Sequence, residues 1–370
     1  MNSLMPRWVL LAAGLALLHA GCEGDEGSHA VPGWDGESGR VEEVLRIGEL
    51  DGTGPEVFGD IRALKISPEG DLLVFDHSTN ELHRFARDGT HRSTFGGTGL
   101  GPGEFRGVVG IATGGEGEVW VVDALNARYT VIDPEGGSVT FPRSSQVSTR
   151  PWTGGFDREG RFHDYATRAS GEGPAGVVFR VEPDGSHGTE FIVPRRQVPA
   201  PTLGAGVMVT IPFAPEAMQS WDPEGGVWQA VSSRYEITNI ALAGDTVAIV
   251  SRPVDPAPLT PEEGDSLRAA ISNVEARFGI AVDPAMRPET FPPLRWFVTD
   301  DEGRLWVCAT GREPCDALDV FRQGTFLGEV HLPVPVSGSP LPVIQDGRFV
   351  AAVEGPIGEP QVFVGRLVLP

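Results

Sequence analysis

Four arginines recur at similar places in this sequence and could together bind an anion. Arg62, Arg106, Arg150 and Arg295 precede the glycine of a predicted turn by 8, 11, 10 and 8 residues. Side chains at even spacings lie on one face of a β-strand, so the offsets of 8 and 10 place Arg62, Arg150 and Arg295 on equivalent faces. Such guanidinium groups can hold a carboxylate through charge-assisted hydrogen bonds. The alternative is that each arginine pairs with a neighbouring carboxylate.

Two tryptophans stand close to these arginines in the chain. Trp152 follows Arg150 and Trp296 follows Arg295. We therefore expect one ligand-binding site made of Arg62, Arg150, Arg295, Trp152 and Trp296.

Other motifs give little sign of catalysis. Eight histidines are present, but no two have the spacing of a zinc protease motif, and no Cys-x-x-Cys pair accompanies them. No serine lies in a nucleophile-elbow motif. The glycine-rich run 96–101 precedes no predicted helix, which favours a turn over a phosphate-binding loop. These absences favour a binding role over a catalytic one.

The last two of the three cysteines are predicted to form a disulfide. Cys308 and Cys315 flank a turn-like stretch, residues 311–314, between two apolar runs, so they would face each other across a hairpin. Closing so short a loop stabilises a chain by about 2 to 3 kcal/mol where the compartment is oxidising. The alternative is two free thiols.

The N-terminus has the features of an export signal. The apolar run of residues 8–18 is shorter than the ~20 residues that span a bilayer, so residues 1–22 are predicted to be a signal peptide. Ala20 and Gly21 before Cys22 resemble the lipobox of bacterial lipoproteins, which implies acylation of Cys22. The alternative is ordinary secretion. Residues 23–40 form a predicted acidic tether, and we expect a lipid-anchored protein of the bacterial cell envelope, facing the periplasm or the exterior.

Composition predicts an all-β chain. With 49 glycines and 32 prolines and almost no helical pattern, the sequence is typical of short strands joined by tight turns. Acidic residues (51) outnumber basic ones (29) and no basic stripe is present, so a nucleic acid partner is not expected.

An internal repeat predicts the architecture. Residues 54–58 match 101–105, and 72–76 match 119–123, at a shift of 47 residues. Six turns of similar composition follow one another along the chain, and a second hairpin in several repeats completes a four-stranded sheet. We therefore expect residues 41–370 to form a six-bladed β-propeller of four-stranded antiparallel blades. Residues 41–47 would supply the strand that the last repeat lacks.

The first two repeats resemble a known family. The runs Phe95-Gly96-Gly97 and Gly101-Pro102-Gly103-Glu104-Phe105, then Gly110-Ile111-Ala112 and Val119-Trp120-Val121-Val122-Asp123, are similar to the NHL-repeat type of six-bladed propeller. The resemblance covers residues 48–141 and fades afterwards. It implies structural roles, within each blade, for Asp76, Asn80, Asp123, Asn126 and Arg128.

One long interval breaks the repeat. The glycines of two successive turns, Gly225 and Gly303, are 78 residues apart. Thr260-Pro261-Glu262-Glu263 is typical of a helix start, and apolar residues then recur at helical spacing. We expect one amphipathic helix in an insertion over about residues 253–292. The helix would pack on the propeller or, alternatively, act as a lid or docking element.

The predicted function follows from these features together. We expect a non-catalytic propeller that binds a protein, peptide or glycan and has no cofactor. The alternative is a metal-assisted hydrolase or lyase with a site, and possible calcium, at the central channel. The predicted inner strands are poor in Asp, Glu and Asn, which weakens the alternative.

Overall fold

The fold is described from a computed structural model. It describes residues 33–143, 151–170, 173–194, 196, 198, 211–284, 287–309 and 315–370, with the backbone alone for 168–170 and 173–175. The predicted signal peptide, the lipidation residue Cys22 and Arg150 lie outside the described residues, as does most of the predicted tether.

The described residues form 24 β-strands and one α-helix. The strands, in chain order, are β1 (Gly39–Ile47), β2 (Ile61–Ile66), β3 (Leu72–Asp76), β4 (Glu81–Phe85), β5 (His91–Gly96), β6 (Val108–Thr113), β7 (Val119–Asp123), β8 (Arg128–Ile132), β9 (Ser138–Pro142), β10 (Gly155–Phe156), β11 (Phe162–Ser170), β12 (Gly173–Val181), β13 (His187–Val193), β14 (Ala217–Asp222), β15 (Gly226–Val231), β16 (Glu236–Ala241), β17 (Thr246–Ser251), β18 (Trp296–Thr299), β19 (Arg304–Cys308), β20 (Cys315–Arg322), β21 (Thr325–Val336), β22 (Val343–Gln345), β23 (Arg348–Glu354) and β24 (Pro360–Val368).

The strands make five sheets. Four are antiparallel and four-stranded, each in chain order: sheet 1 (β2–β5), sheet 2 (β6–β9), sheet 3 (β10–β13) and sheet 4 (β14–β17). The fifth, sheet 5, has eight strands in the order β18-β19-β20-β21-β1-β24-β23-β22. Small antiparallel sheets in this propeller-like arrangement confirm the all-β prediction.

The expected count of six separate sheets is wrong. Strand β1 pairs antiparallel with β24 over residues 40–47, as predicted, but it also pairs in parallel with β21 at Gly39 and Arg40. This two-residue contact joins β18–β21 to β22–β24 and β1, so that two runs of four strands become one eight-stranded sheet.

The second strands are buried because every sheet is covered on both faces. All five residues of β3 are buried. Leu72 and Val74 pack against β23 and β24, while Leu73 and Phe75 pack against β6 and β7. The two-residue period of the strand thus divides its side chains between two interfaces. Burying one such side chain contributes about 1.5–3 kcal/mol, which explains why β3 is apolar up to its last residue, Asp76.

The first strands of the sheets lie innermost. Strand β2 contacts β6 and β22, β6 contacts β10, and β14 contacts β18. We call the turns that follow these first strands the turn end of the ring, and the opposite end, where the first strands begin, the loop end. The hydrogen bonds that join turns at the turn end include Arg158 N to Pro223 O at 3.0 Å, Asp346 N to Asp301 Oδ2 at 2.9 Å, and Arg348 Nη1 to Gly70 O at 2.9 Å.

The predicted helix is present as α1 (Pro261–Phe278). Thr260 and Glu263 form the capping box, and Gly279 ends the helix with a φ of 66°. The buried residues Leu267 and Ile271 pack with Ile211 and Val282 in a small core outside the strands. The helix therefore packs on residues flanking the sheets. No helix of the described residues is long and apolar enough to cross a membrane.

Candidate functional site at the loop end

Of the four arginines that the sequence singled out, the three that the structure describes lie at the loop end. Arg62 lies near the start of β2, and Arg295 directly precedes β18. Because the first strands begin at the loop end, both residues lie at that end of the ring. Arg106, just before β6, is exposed at the same end. Arg150 lies outside the described residues, so the structure gives positions for only two members of the predicted three-arginine site, Arg62 and Arg295.

Arg62 has the neighbouring partner that the sequence left as an alternative. Its Nε donates to Asp60 Oδ2 at 2.6 Å, and its side chain is 36% exposed. One carboxylate oxygen engages only part of the guanidinium, which carries five N–H donors. Arg62 can therefore keep this pair and still hold an anion from solvent.

Trp152 belongs to a buried polar cluster that joins sheets 2 and 3. Its Nε1 donates to Asp164 Oδ1 at 2.8 Å. Asp164 also accepts from Tyr129 Oη at 2.7 Å and from Arg143 Nε at 2.6 Å, and the Arg143 and Asp164 side chains are almost fully buried. Burial and the nearby Asp164 carboxylate raise the pKa of Tyr129. The described contacts of Trp152 are therefore those of a packing residue.

A similar cluster links sheets 4 and 5. Tyr235 Oη donates to Asp319 Oδ2 at 2.6 Å, and Arg252 pairs with the same carboxylate. Here burial, opposed by hydrogen bonds, raises the pKa of Asp319. The sequence analysis missed both clusters, because their members come from different repeats.

Trp296 also packs rather than lining an opening. It is 3% exposed and belongs to the core cluster that contains Cys308 and Cys315.

Those two cysteines form the predicted disulfide, with 6.1 Å between their Cα atoms. The bond holds the loop end of β19 to the start of β20.

The aspartates to which the family resemblance assigns structural roles accept hydrogen bonds from nearby donors. Asp76 accepts the backbone N–H groups of Gly59 and Asp60, each at 2.9 Å, and of Ser78 at 2.8 Å. Burial acts to raise the pKa of Asp76, but these hydrogen bonds outweigh it and lower that pKa. Asp123 accepts from Arg106 N and Gly107 N. Each of these three residues lies 47 positions after its counterpart in sheet 1, which are Asp76, Gly59 and Asp60. Both aspartates are structural.

The described residues do not fit a metal site. Within them, no group of three or more His, Cys, Asp or Glu side chains lies close enough to hold an ion. At the loop end, Asp60 is engaged by Arg62 and Asp76 by backbone amides. Calcium takes six to eight oxygen ligands, and the described carboxylates do not supply such a set.

Two nitrogen groups missed by the sequence analysis lie in the same sheet. His77 begins the loop after β3, and its backbone N–H donates to Asp60 O at 2.8 Å. Its Nδ1 is buried and, among the described residues, has no hydrogen-bond partner. Lys65, in β2, is the second group. Burial lowers the pKa of its ammonium group.

A cleft opens between sheet 4 and the helical insertion. It has a volume of about 210 Å³, and its walls include Phe213, Pro256, Phe291, Ser233 and Arg287. Ser233 follows β15 at the loop end, so the cleft adjoins the same end of the ring. An apolar cleft with a few polar groups is the usual form of a small-molecule site.

No protein-family model matches the sequence. No curated protein matches it either. Solved structures do share its fold. A protein from Bacteroides fragilis whose name describes it as exported is 8% identical, covering 92% of this chain and 97% of its own, with a TM-score of 0.51. Virginiamycin B lyase from Staphylococcus aureus is 12% identical, covering 90% and 100%, with a TM-score of 0.45. A gluconolactonase from Xanthomonas campestris is 14% identical, covering 91% and 97%, with a TM-score of 0.44. At such identities the likeness is one of fold.

The expected non-catalytic binding role is contradicted by these neighbours. They are named as lyases, gluconolactonases and a luciferin-regenerating enzyme. The expected binding role rested on the lack of linear catalytic motifs. In a ring of sheets, however, a site is assembled from side chains that are far apart in the chain, and such a site leaves no linear motif.

Proposed function

We propose that this chain is a hydrolase or lyase whose site lies at the loop end of the central channel. The observation that carries the proposal is a ring nitrogen at the loop end. His77 Nδ1 is buried and has no hydrogen-bond partner among the described residues. Arg62, near the start of β2 at the same end, uses only part of its guanidinium on Asp60.

The roles follow from the chemistry of these groups. Arg62, Arg150 and Arg295 hold the anionic part of a substrate through charge-assisted hydrogen bonds. His77, whose Nδ1 has no partner among the described residues, is the general acid or base of the proposal. Trp152 and Trp296 support the site through their packing in the neighbouring hydrophobic clusters. No step is assigned to a metal ion.

The test is a panel of lactones and aryl esters, followed by continuous titration of the acid released. We expect one class to be turned over and the His77→Ala variant to lose about 100-fold or more in kcat/KM, the usual contribution of a general acid or base. His331, exposed on β21, provides the matched control as His331→Ala. Equal activities of the two variants would contradict the assignment of His77.

A second comparison tests the arginines. The Arg62→Ala/Arg295→Ala double variant should raise KM for a carboxylate-bearing substrate about 10-fold or more, because each charge-assisted bond contributes about 1.5–3 kcal/mol. Arg322→Ala, an exposed arginine at the end of β20, is the control. An unchanged KM in the double variant would remove the anion site from the proposal.

We also infer that sheet 5 is two blades fused through β1 and β21, which makes a six-bladed ring. Each half has its own first strand and its own turn, and the two turns meet through Asp346 and Asp301. Sheets 1 and 2 would be NHL-type blades, because Asp76 and Asp123 bind equivalent amides 47 residues apart.

Export and lipid anchoring at Cys22 belong to the same proposal. Expression with a labelled fatty acid should label the wild-type chain in the membrane fraction and leave Cys22→Ser unlabelled. Labelling of both chains would contradict an anchor at this cysteine.

A further inference from the structure

The cleft between sheet 4 and the helical insertion is built largely from two segments of the insertion that pair with each other. One segment leaves β17 and the other returns to β18. An antiparallel bridge joins them at Pro258 and Thr290, and Phe291 N donates to Ala257 O at 2.8 Å. Because backbone bonds hold these two segments together, the cleft keeps its shape without a ligand.

Phe213, in the wall of the cleft, has a backbone conformation that its side chain does not favour. Ala214 N donates to Ile211 O at 3.2 Å, so residues 211–214 form a turn with proline in the second place and Phe213 in the third. The φ of Phe213 is 62°. Glycine or asparagine usually occupies the third place of such a turn, because a larger side chain is strained at positive φ. Strained residues of this kind are concentrated at active sites and ligand sites, where the surrounding structure uses the side chain.

The ring of Phe213 forms part of an apolar surface that suits an aromatic group. It meets Phe291 edge to face, with 5.0 Å between the ring centroids and 70° between the ring planes. An aromatic guest can make the same kind of contact with these rings. The volume of about 210 Å³ exceeds the roughly 150 Å³ of an engineered cavity that binds benzene, so one ring with a short side chain fits. The remaining apolar walls are proline rings: Pro215, Pro256, Pro288, Pro292 and Pro293.

The polar side chains that line the cleft can all donate hydrogen bonds, and none is a carboxylate. They are the guanidinium of Arg287 and the hydroxyls of Ser233 and Thr290. Arg287 Nη2 lies 3.3 Å from Glu275 Oε1 and 3.4 Å from Val282 O. The other guanidinium nitrogens have no partner among the described residues, and the side chain is 46% exposed. In a chain with 51 acidic and 29 basic residues, a lining with a cation and no carboxylate favours an anion.

We propose that this cleft binds a small aromatic carboxylate. The ring packs against Phe213, Phe291 and the prolines, which removes apolar surface from water, and the carboxylate accepts hydrogen bonds from Arg287 and the two hydroxyls. Binding is reversible, and no covalent bond forms or breaks. The inference does not rest on the proposed function, because His77 and Arg62 belong to sheet 1 and the cleft adjoins sheet 4.

Isothermal titration calorimetry of the folded protein with 3-phenylpropionate tests the proposal. We expect a Kd on the order of 0.1 mM for a ligand of this size. The neutral 3-phenylpropionamide keeps the ring and loses the charge, so it should bind at least about 10-fold more weakly. The 3-cyclohexylpropionate ion keeps the charge and loses the flat ring, so it should bind about 5-fold more weakly. Equal affinities for acid and amide, or no binding of the acid at about 10 mM, would overturn the proposal.

Variants locate the ligand. Arg287→Ala and Phe213→Gly should each weaken binding of 3-phenylpropionate about 10-fold or more, since one removes the cation and the other the aromatic wall. Phe213→Gly is expected to fold, because glycine adopts a φ of 62° without strain. The controls are two exposed residues of α1 that should bind as the wild type does. Arg268→Ala also removes an arginine paired with a carboxylate, and Phe278→Ala also removes an aromatic ring. Unchanged affinity in both cleft variants would show that the acid does not bind in the cleft.

Two further outcomes separate this inference from the proposed function. If His77→Ala or the Arg62→Ala/Arg295→Ala variant, and not Arg287→Ala, abolishes binding, the acid occupies the site near the channel. The cleft inference then fails and the proposed function stands. If the cleft variants abolish binding while no ester or lactone is turned over, the cleft site stands and the hydrolase reading fails.

Discussion

Sheets 1 and 2 differ from the later sheets in where a buried aspartate fastens the chain. In the first two, Asp76 and Asp123 end the second strand, at the loop end, and accept backbone amides there. In the later sheets, Asp157, Asp222 and Asp300 enter the turn after the first strand, at the turn end. Each accepts the N–H group two residues on, at 3.0, 3.1 and 3.0 Å respectively.

The change of end explains why the repeat fades while the fold continues. At the turn end of sheets 1 and 2 the equivalent positions are Ser67 and Gly114. At the loop end of the later sheets, the backbone of Glu216 is held by Ser232, and β19 is held by the disulfide at Cys308. Fastening the turn end leaves the loop end free to carry long connections. The helical insertion and the cleft both occur there.

The largest effect is expected when one aspartate from each group is replaced by alanine. Asp300 accepts from Arg304 Nε at 2.6 Å and Trp306 Nε1 at 2.7 Å, and all three side chains are largely buried. Asp300→Ala leaves a buried guanidinium short of its carboxylate and should cost about 3 to 5 kcal/mol in the free energy of unfolding. Asp76→Ala loses three backbone amide bonds and one bond from the Ser78 hydroxyl, with no buried cation left unpaired, and should cost about 2 kcal/mol.

Urea unfolding followed by tryptophan fluorescence measures both changes. Asp184→Ala is the control, because Asp184 also caps a turn amide, Ser186 N at 2.9 Å, but is exposed. It should cost less than about 1 kcal/mol. If Asp76→Ala matched this control, the aspartates of the first two sheets would not fasten the loop end.

The disulfide is expected to make the next largest contribution to the free energy of unfolding. It lies at the loop end, where sheets 1 and 2 have an aspartate. Replacing both cysteines, as Cys308→Ala/Cys315→Ala, should cost about 2 to 3 kcal/mol, since the bond closes a short loop. Unfolding of the wild type with and without a reductant measures the same quantity in one chain. A reductant effect that persisted in the double variant would show that the loss does not come from this bond.

The sequence predicted those features that are encoded locally. The capping box of Thr260 and Glu263 and the helix stop at Gly279 lie within a few residues, and α1 is found where they place it. The disulfide was predicted for the same reason. The merging of β1 with β21 was not predicted, because it joins residues about 290 positions apart at Gly39 and Val330, with no pattern in either strand.

The ligand-binding role of Arg62, Arg150, Arg295, Trp152 and Trp296 stays a prediction. Arg62 lies near the start of β2 and Arg295 directly precedes β18, positions that the spacing to the turn glycines indicates. The hydrogen bond from Trp152 to Asp164 could not be predicted, because it joins residues 12 positions apart with no local pattern between them.

Asp76 and Asp222 should respond to pH in opposite directions. The pKa of Asp76 is lowered by hydrogen bonds that outweigh burial, so its stabilisation is present above the unfolded value near pH ~4 and is lost as pH falls. Burial raises the pKa of Asp222, so its contribution is complete below pH ~4 and is lost as pH rises through the raised value. Each Asp→Asn variant should lose its own part of the profile. Urea unfolding from about pH 3 to pH 7 measures both. Profiles that change in the same direction would contradict the assignment.

The smallest effect is expected at the surface of the turn end. Arg158 and Glu224 form an ion pair at 2.6 Å between sheets 3 and 4, but their side chains are 53% and 52% exposed. Exposed pairs are screened by water and salt, so a double-mutant cycle with Arg158→Ala and Glu224→Ala should give a coupling of about 0.2–1 kcal/mol that falls at high salt. Such a small coupling would mean that the buried aspartates within each sheet, and not ion pairs between sheets, stabilise the turn end. A coupling above about 2 kcal/mol that salt does not reduce would reverse this view, because pairs between sheets would then hold the turn end closed.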